Sequence, residues 1–135
     1  MTANELYEEC FAQVWPRLKS LFAEKEVVIN LAYGKGHDRA VDADLALVHR
    51  VMEIVFRCAL TQTLRGTEIK LVVGSIDSNF ALSIRDHGPG MEEHQYDELY
   101  SAQKLRELGV SCKLKSNKFS DFPQDHGTSV RIVFN

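Results

Sequence analysis

The chemistry that this sequence offers is concentrated in one short segment, DHGPGM, at residues 86–91. Asp86 ends a predicted strand, where its carboxylate can accept a hydrogen bond from the exocyclic amine of a flat base. Gly88 and Gly90 allow positive φ and a close approach of the backbone to a planar ring. The same residues also fit a tight turn that an Asx-type bond from Asp86 stabilises. The segment alone therefore predicts either a base-binding pocket or a structural turn.

Hydrophobic periodicity predicts the elements that must position this segment. A helix over residues 3–24 is expected to kink or divide at Pro16. Asp42 or Asp44 offers an N-cap to a second helix that runs to about residue 63. The predicted strands cover residues 27–32, 67–73, 79–85, 110–115 and 129–134, and a third helix covers 96–108 and ends at Gly109. The second and third strands form a hairpin with one buried face, and one mixed sheet with helices on one face accounts for this order.

Length and composition indicate a single globular domain of residues 1–135. The net charge of −3 argues against general affinity for nucleic acid or an anionic membrane. No apolar run approaches the ~20 residues that cross a bilayer, and the acidic N-terminus is unlike a signal peptide, so a cytoplasmic location is expected. The three cysteines are far apart, which indicates neither a disulfide framework nor a zinc site. The apolar stripe of helix 1–25 either covers the domain's own core or pairs with a second copy.

The order of elements around DHGPGM resembles the ATP-binding domain of histidine kinases, which belongs to the GHKL or Bergerat-fold superfamily, from about Leu18 onward. In that family a helix carries the N box, DxGxG is the G1 box, and a late Gly-Thr pair opens the last strand. The matching stretches here are VDADLALVHRVMEIVFRCALTQT before the motif, and AQKLRELGVSCKLKS and HGTSVRIVF after it. The resemblance implies an α+β fold, a two-layer α/β sandwich whose mixed, mostly antiparallel sheet carries helices on one face.

The resemblance also assigns a nucleotide pocket for ATP or ADP. The candidate residues of this pocket are Asp86, Gly88, Gly90, Met91, Thr128 and Arg50. Asp86 would read the adenine amine, the two glycines would shape the base pocket, and Thr128 would lie near the base. Arg50 lies one helical turn before the first N-box position, from which a cation could contact phosphate without a metal.

Departures from the family pattern affect the phosphate and metal half of the pocket. The two N-box asparagines are replaced by Ile54 and Cys58, and neither suits Mg²⁺, which prefers oxygen ligands, so no metal site is expected. Residues 92–101 contain no glycine in place of the family's glycine-rich lid, and their acids would repel a triphosphate. No histidine precedes His37, so the dimerising helical hairpin with its phosphoacceptor histidine is missing.

These features favour a degenerate, catalytically inactive pseudo-kinase domain with weak or no ATP binding. It would regulate bacterial-type signalling by binding a kinase, a response regulator or a protein of the sigma or anti-anti-sigma type. One alternative is an ATP-dependent protein kinase or ATPase similar to the anti-sigma-factor serine kinases. Others are a histidine-phosphotransferase-like relay protein and a domain that binds another adenine-like molecule. Nucleic-acid and membrane partners are not expected, and a homodimer would form through the N-terminal helix.

Overall fold

The computed structural model describes all 135 residues. Its elements are α1 (Ala3–Lys25), β1 (Val28–Tyr33), α2 (Leu45–Gln62), β2 (Glu68–Ile76), β3 (Asn79–Arg85), α3 (Tyr96–Tyr100), α4 (Ala102–Glu107), β4 (Ser111–Asn117) and β5 (Gly127–Phe134), with a 3₁₀ turn at Glu93–Gln95. The strands form one sheet in the order β1-β2-β3-β5-β4. Only β1 is parallel to its neighbour. The predicted two-layer α/β sandwich with a mixed, mostly antiparallel sheet is therefore confirmed.

The first helix is continuous through Pro16, so of the two expected effects, a kink or a division, the division is wrong. Pro16 removes one backbone donor, but it lies on the exposed side of the helix, where water can hydrogen-bond the freed carbonyl. Val14 and Leu18 are fully buried on either side of the proline and hold the helix against the core. Tertiary packing here outweighs the local preference for a break.

The apolar stripe of α1 packs on α2 and β2 and covers the domain's own core. Its buried residues are Ala3, Leu6, Tyr7, Cys10, Val14, Leu18 and Phe22. The observation that suggested a homodimer is thus accounted for within one chain. No helix of the structure combines the length and the apolar composition that crossing a membrane requires.

The second helix and the hairpin after it follow the sequence closely. Asp44 caps α2, because its Oδ1 accepts the backbone N–H of Ala46 at 2.9 Å. Asp77 and Ser78 have φ values of 49° and 69°, which give the two-residue turn that suits a twisted hairpin. The core-facing side chains of the hairpin alternate along both strands and are Ile69, Leu71, Val73, Phe80, Leu82 and Ile84. This hairpin places residue 86 directly at the end of a central strand.

The single helix predicted over residues 96–108 is divided into α3 and α4, which corrects that expectation. Ser101 lies between them with φ of 56°, in the left-handed region. The carboxylate of Asp97 accepts the backbone N–H of Gln103 at 3.0 Å, and this bond competes with continuation of the helix. Gly109 has φ of 94° and ends α4 as predicted. The break lets α3 turn Tyr100 into the core, where it is fully buried.

Candidate functional site

Asp86 lies just after β3 with its side chain fully buried. One carboxylate oxygen, Oδ1, accepts the backbone N–H of Gly88 at 2.9 Å and that of Thr128 at 3.0 Å. The other oxygen, Oδ2, accepts the hydroxyl hydrogen of Tyr100. A buried carboxylate needs such donors, since leaving it without partners is costly. The chain itself therefore satisfies both oxygens of the predicted base-reading residue.

The glycines of the motif bring the backbone close to the chain's own carbonyl groups. A Cβ at Gly88 would overlap the carbonyl oxygen of Gln62, at the end of α2. Gly90 has φ of 79°, and a Cβ there would overlap the carbonyl oxygen of Asn117. Positive φ is readily adopted only by glycine. Only Gly90 of the two has positive φ, and the groups that both glycines approach are carbonyls of this chain, so the predicted approach to a planar ring stays a prediction.

Met91 and Thr128 belong to the same buried network. The backbone N–H of Met91 donates to Ser116 Oγ at 2.8 Å, and Ser116 Oγ lies 2.8 Å from Thr128 Oγ1. The backbone of Thr128 in turn pairs with Asp86 in both directions. Ser116, which the sequence did not single out, links β4 to the G1 segment. The structure therefore brings Asp86, Met91 and Thr128 together through hydrogen bonds.

Tyr100 is the second residue of this site, after Ser116, that sequence reasoning missed. Its ring is fully buried, and its hydroxyl reaches Asp86, which lies fourteen positions earlier in the chain. Burial raises the pKa of Tyr100 well above its ordinary value, and the neighbouring Asp86 charge raises the pKa further. A tyrosine on the apolar side of a predicted helix is a usable signal, because a buried hydroxyl normally needs a hydrogen-bond partner.

The positions aligned with the N box carry side chains without oxygen atoms. Ile54 and Cys58 lie one turn apart on α2, and both pack against the hydrophobic core. Burial raises the pKa of the Cys58 thiol, although a hydrogen bond with Ser101 opposes this shift. No group of three or more His, Cys, Asp or Glu side chains converges as a metal site would require. Arg50 is exposed and makes no ion pair or side-chain hydrogen bond, so the structure does not join it to the Asp86 network.

The segment where the family carries its lid is short, helical and held to the β4–β5 loop. Lys118 Nζ donates to Glu92 Oε1 at 2.6 Å, and this contact raises the pKa of Lys118 and lowers that of Glu92. The backbone N–H of Phe119 donates to the Pro89 carbonyl at 2.8 Å. The acids of the segment are exposed, and these are Glu92, Glu93, Asp97 and Glu98. Carboxylates at such positions oppose the approach of a triphosphate.

The two histidines nearest the motif are bound to backbone carbonyls. His87 Nδ1 lies 2.6 Å from the Glu68 carbonyl oxygen, and His126 Nδ1 lies 2.6 Å from that of Gly88. A carbonyl cannot donate, so each Nδ1 carries the hydrogen. Both rings therefore brace the turn around Asp86.

The stability of the domain should fall as the pH rises from about 9 to about 11. Burial raises the pKa of Tyr100 and of Tyr7 above the ordinary 10.0, and raises the pKa of Cys10 from 9.0 to about 11. The unfolded chain therefore loses these protons first, and each group contributes stability that is complete below its unfolded pKa and is lost above it. The expected loss is about 1.4 kcal/mol per pH unit for each group once the unfolded group ionises.

Urea unfolding at several pH values measures this effect. Tyr100→Phe is the matched variant, because it removes one ionising hydroxyl and keeps the ring. Its stability should fall less steeply with pH than that of the parent protein. Equal slopes in the two proteins would contradict the assignment to Tyr100.

The fold of this chain is similar to that of known proteins, although its sequence is not. No protein-family model and no curated protein sequence matches the chain. The chain is similar to a nucleotide-free catalytic domain of the histidine kinase ThkA, with a TM-score of 0.75 and 13% identity over 95% of this chain and 92% of that one.

Two larger structures contain a similar domain. ThkA in complex with the response regulator protein TrrA matches with a TM-score of 0.70 and 16% identity, over 99% of this chain and 40% of that one. Full-length ShkA in complex with AMPPNP matches with a TM-score of 0.66 and 15% identity, over 95% of this chain and 29% of that one. Fold similarity at such identities establishes architecture and leaves activity to the site itself. The chain has the fold of a histidine kinase catalytic domain.

Proposed function

We propose that this chain is a degenerate histidine-kinase-like domain that binds a signalling protein and has weak or no affinity for ATP. The observation that carries the proposal is the hydrogen bond from Tyr100 to Asp86 Oδ2. The resemblance to the histidine kinase ATP-binding domain assigns the Asp86 carboxylate the role of accepting a hydrogen bond from the adenine amine. Because two backbone N–H groups bind Oδ1, a base would have to displace the buried tyrosine to reach the carboxylate.

The phosphate half of the pocket supports the same proposal. Ile54 and Cys58 offer no oxygen ligand for Mg²⁺, and the lid segment presents carboxylates in place of glycine N–H groups. Arg50, one helical turn before Ile54, is the candidate cation for phosphate, and it lies exposed on α2 without an ion pair. A nucleotide would therefore lack both its metal and its backbone cradle.

The proposed partner is a kinase, a response regulator or a sigma-type switch protein. Because such partners act in the cytoplasm, we propose a cytoplasmic location for this chain. The ThkA complex with the response regulator TrrA supports this class of partner. The whole chain, residues 1–135, acts as one domain, since α1 completes its core. The second candidate function is nucleotide-dependent kinase activity, which the AMPPNP complex of ShkA favours. It would require α3 to move Tyr100 away from Asp86.

Isothermal titration with ATP and with ADP, each with and without Mg²⁺, tests the proposal. We expect dissociation constants no tighter than ~1 mM, which corresponds to ~4 kcal/mol of binding free energy. Saturable, magnesium-dependent binding in the micromolar range, with hydrolysis, would refute the proposal and favour the kinase.

A variant that restores the N-box amides separates the two halves of the pocket. Ile54→Asn/Cys58→Asn returns oxygen ligands to α2 while Tyr100 remains on Asp86. We expect this variant, once circular dichroism shows that it is folded, to remain unable to bind ATP tightly. Magnesium-dependent binding by it would mean that Tyr100 does not block the base.

A further inference from the structure

The face of the sheet opposite the helices carries rows of cations. Strand alternation places the core residues of β2, β3, β5 and β4 on the helical side, so the residues between them share the outer face. The strand register aligns Lys70, Arg85, Ser129 and Lys115 in one row and Val72, Ser83, Arg131 and Lys113 in the next. Five of these eight side chains are positively charged.

Two pairs of like charges lie directly opposite each other on neighbouring strands. Lys70 faces Arg85 across β2 and β3, and Lys113 faces Arg131 across β4 and β5. Opposed like charges destabilise a sheet. Arg85 is compensated by Asp125 at 2.7 Å, whereas the other three make no ion pair. An anionic partner would relieve the uncompensated repulsion.

Hydrogen bonds hold the backbone of a further cationic residue, Lys35, at the rim of this face. The Lys35 carbonyl accepts the backbone N–H of Ser75 at 3.1 Å, and Ser75 Oγ donates to the Gly36 carbonyl at 2.7 Å. A Cβ at Gly74 would overlap the Lys35 carbonyl oxygen, so the glycine permits this close contact. The result is a depression of about 240 Å³ between Lys35 and Arg131. The residues that line its floor are small and carry little polarity, and they include Val72, Gly74, Ala81 and Ser83.

The distance over which the cationic side chains are distributed indicates which kind of anion would bind them. Neighbouring strands are ~4.8 Å apart, so the row from β2 to β4 spans ~14 Å, which exceeds a single phosphate and suits a chain of carboxylates. The two rows contain no aromatic side chain on which a nucleic-acid base could stack. A protein segment with acidic side chains and small apolar ones between them fits best.

We propose that this outer face, centred on Arg131 and Lys113, is the docking surface for an acidic segment of a partner protein. The inference rests on the partner-binding role proposed above, and it names the surface and the chemistry of the partner. Two acids, Glu68 and Asp77, lie at the margins of the face, at the start of β2 and in the β2–β3 turn. They limit the cationic area to the centre of the sheet and to β4.

Fluorescence anisotropy with a labelled peptide of alternating Glu and Ala tests the proposal. A peptide of roughly 10 residues, ~33 Å long when extended at ~3.3 Å per residue, is longer than the ~14 Å row and covers it fully. The control peptide has Gln in place of every Glu. We expect the Glu peptide to bind and to weaken as salt rises, because exposed charges are screened, and the Gln peptide not to bind. Equal binding of the two peptides, or no binding of the Glu peptide, would overturn the proposal.

Charge reversal on the protein locates the binding surface. Lys113→Glu/Arg131→Glu should weaken binding of the Glu peptide at least tenfold. Lys19→Glu/Lys104→Glu is the matched control, because it changes the net charge equally at exposed positions of the helical layer. A similar loss in both variants would indicate a general charge effect and overturn the proposal.

Two further probes address other anionic partners. If an oligo(dT) strand or vesicles containing phosphatidylserine bound more tightly than the Glu peptide and lost binding in Lys113→Glu/Arg131→Glu, the proposal would be overturned. The nucleotide titration remains separate. Tight ATP binding would refute the degenerate-kinase proposal, whereas failure of the Glu peptide alone would refute only this surface.

Discussion

Replacing Asp86 with alanine should lower the free energy of unfolding by about 3–5 kcal/mol, because buried hydrogen-bond donors would lose their acceptor. The carboxylate accepts hydrogen bonds from two backbone N–H groups, of Gly88 and Thr128, and from the Tyr100 hydroxyl. These groups come from the turn after β3, from β5 and from α3, so one side chain joins three parts of the fold. Urea unfolding followed by circular dichroism measures the loss.

Two further variants show whether the carboxylate itself is responsible. Asp86→Asn keeps one oxygen for the backbone donors, and its amide can donate to the Tyr100 oxygen, so we expect a smaller loss of about 1–2 kcal/mol. Asp125→Ala removes an exposed carboxylate that pairs with Arg85, and the expected loss is below about 1 kcal/mol. If Asp86→Ala lost no more stability than Asp125→Ala, Asp86 would not be the structural centre of the site.

Replacing Tyr100 with alanine should cost about 3–5 kcal/mol of stability, as is usual when a buried aromatic ring is removed. The ring is fully buried, and its hydroxyl binds the carboxylate of Asp86. Tyr100→Phe keeps the ring and loses the hydroxyl, so its expected cost is about 1–2 kcal/mol. The same unfolding measurements compare the two variants, and equal losses would mean that packing of the ring contributes little.

Tyr100→Ala also tests whether the tyrosine takes the place of a base. The variant frees Asp86 Oδ2 beside a space from which an aromatic ring has been removed, and an adenine amine could donate to that oxygen. We therefore expect adenine to raise the unfolding midpoint of Tyr100→Ala, since a ligand that binds only the folded state stabilises it. The parent protein and Tyr100→Phe should not respond. A response of the parent, or none by Tyr100→Ala, would contradict the assignment of Tyr100 to the base position.

Local sequence signals correctly predicted those features of the fold that depend on a few neighbouring residues. Asp44 caps α2 and Gly109 ends α4 as predicted, because each acts on backbone groups within a few residues. The alternation in the β2–β3 hairpin correctly predicted which side chains face the core. Such signals did not exclude a division at Pro16, where the buried side chains of Val14 and Leu18, before and after the proline, hold the helix in one piece. They failed at Ser101, where the Asp97 carboxylate caps a new helix.

The sequence by itself determined the DHGPGM segment with Asp86, the side chains without oxygen at Ile54 and Cys58, and the absence of glycine from residues 92–101. These are properties of residue type and order. Only the tertiary structure decided that Tyr100 occupies Asp86 Oδ2 and that Lys113 faces Arg131 on an open sheet face. The physical reason is that periodicity predicts which side of an element is buried, while the partner of each side chain depends on how distant elements pack and on strand register.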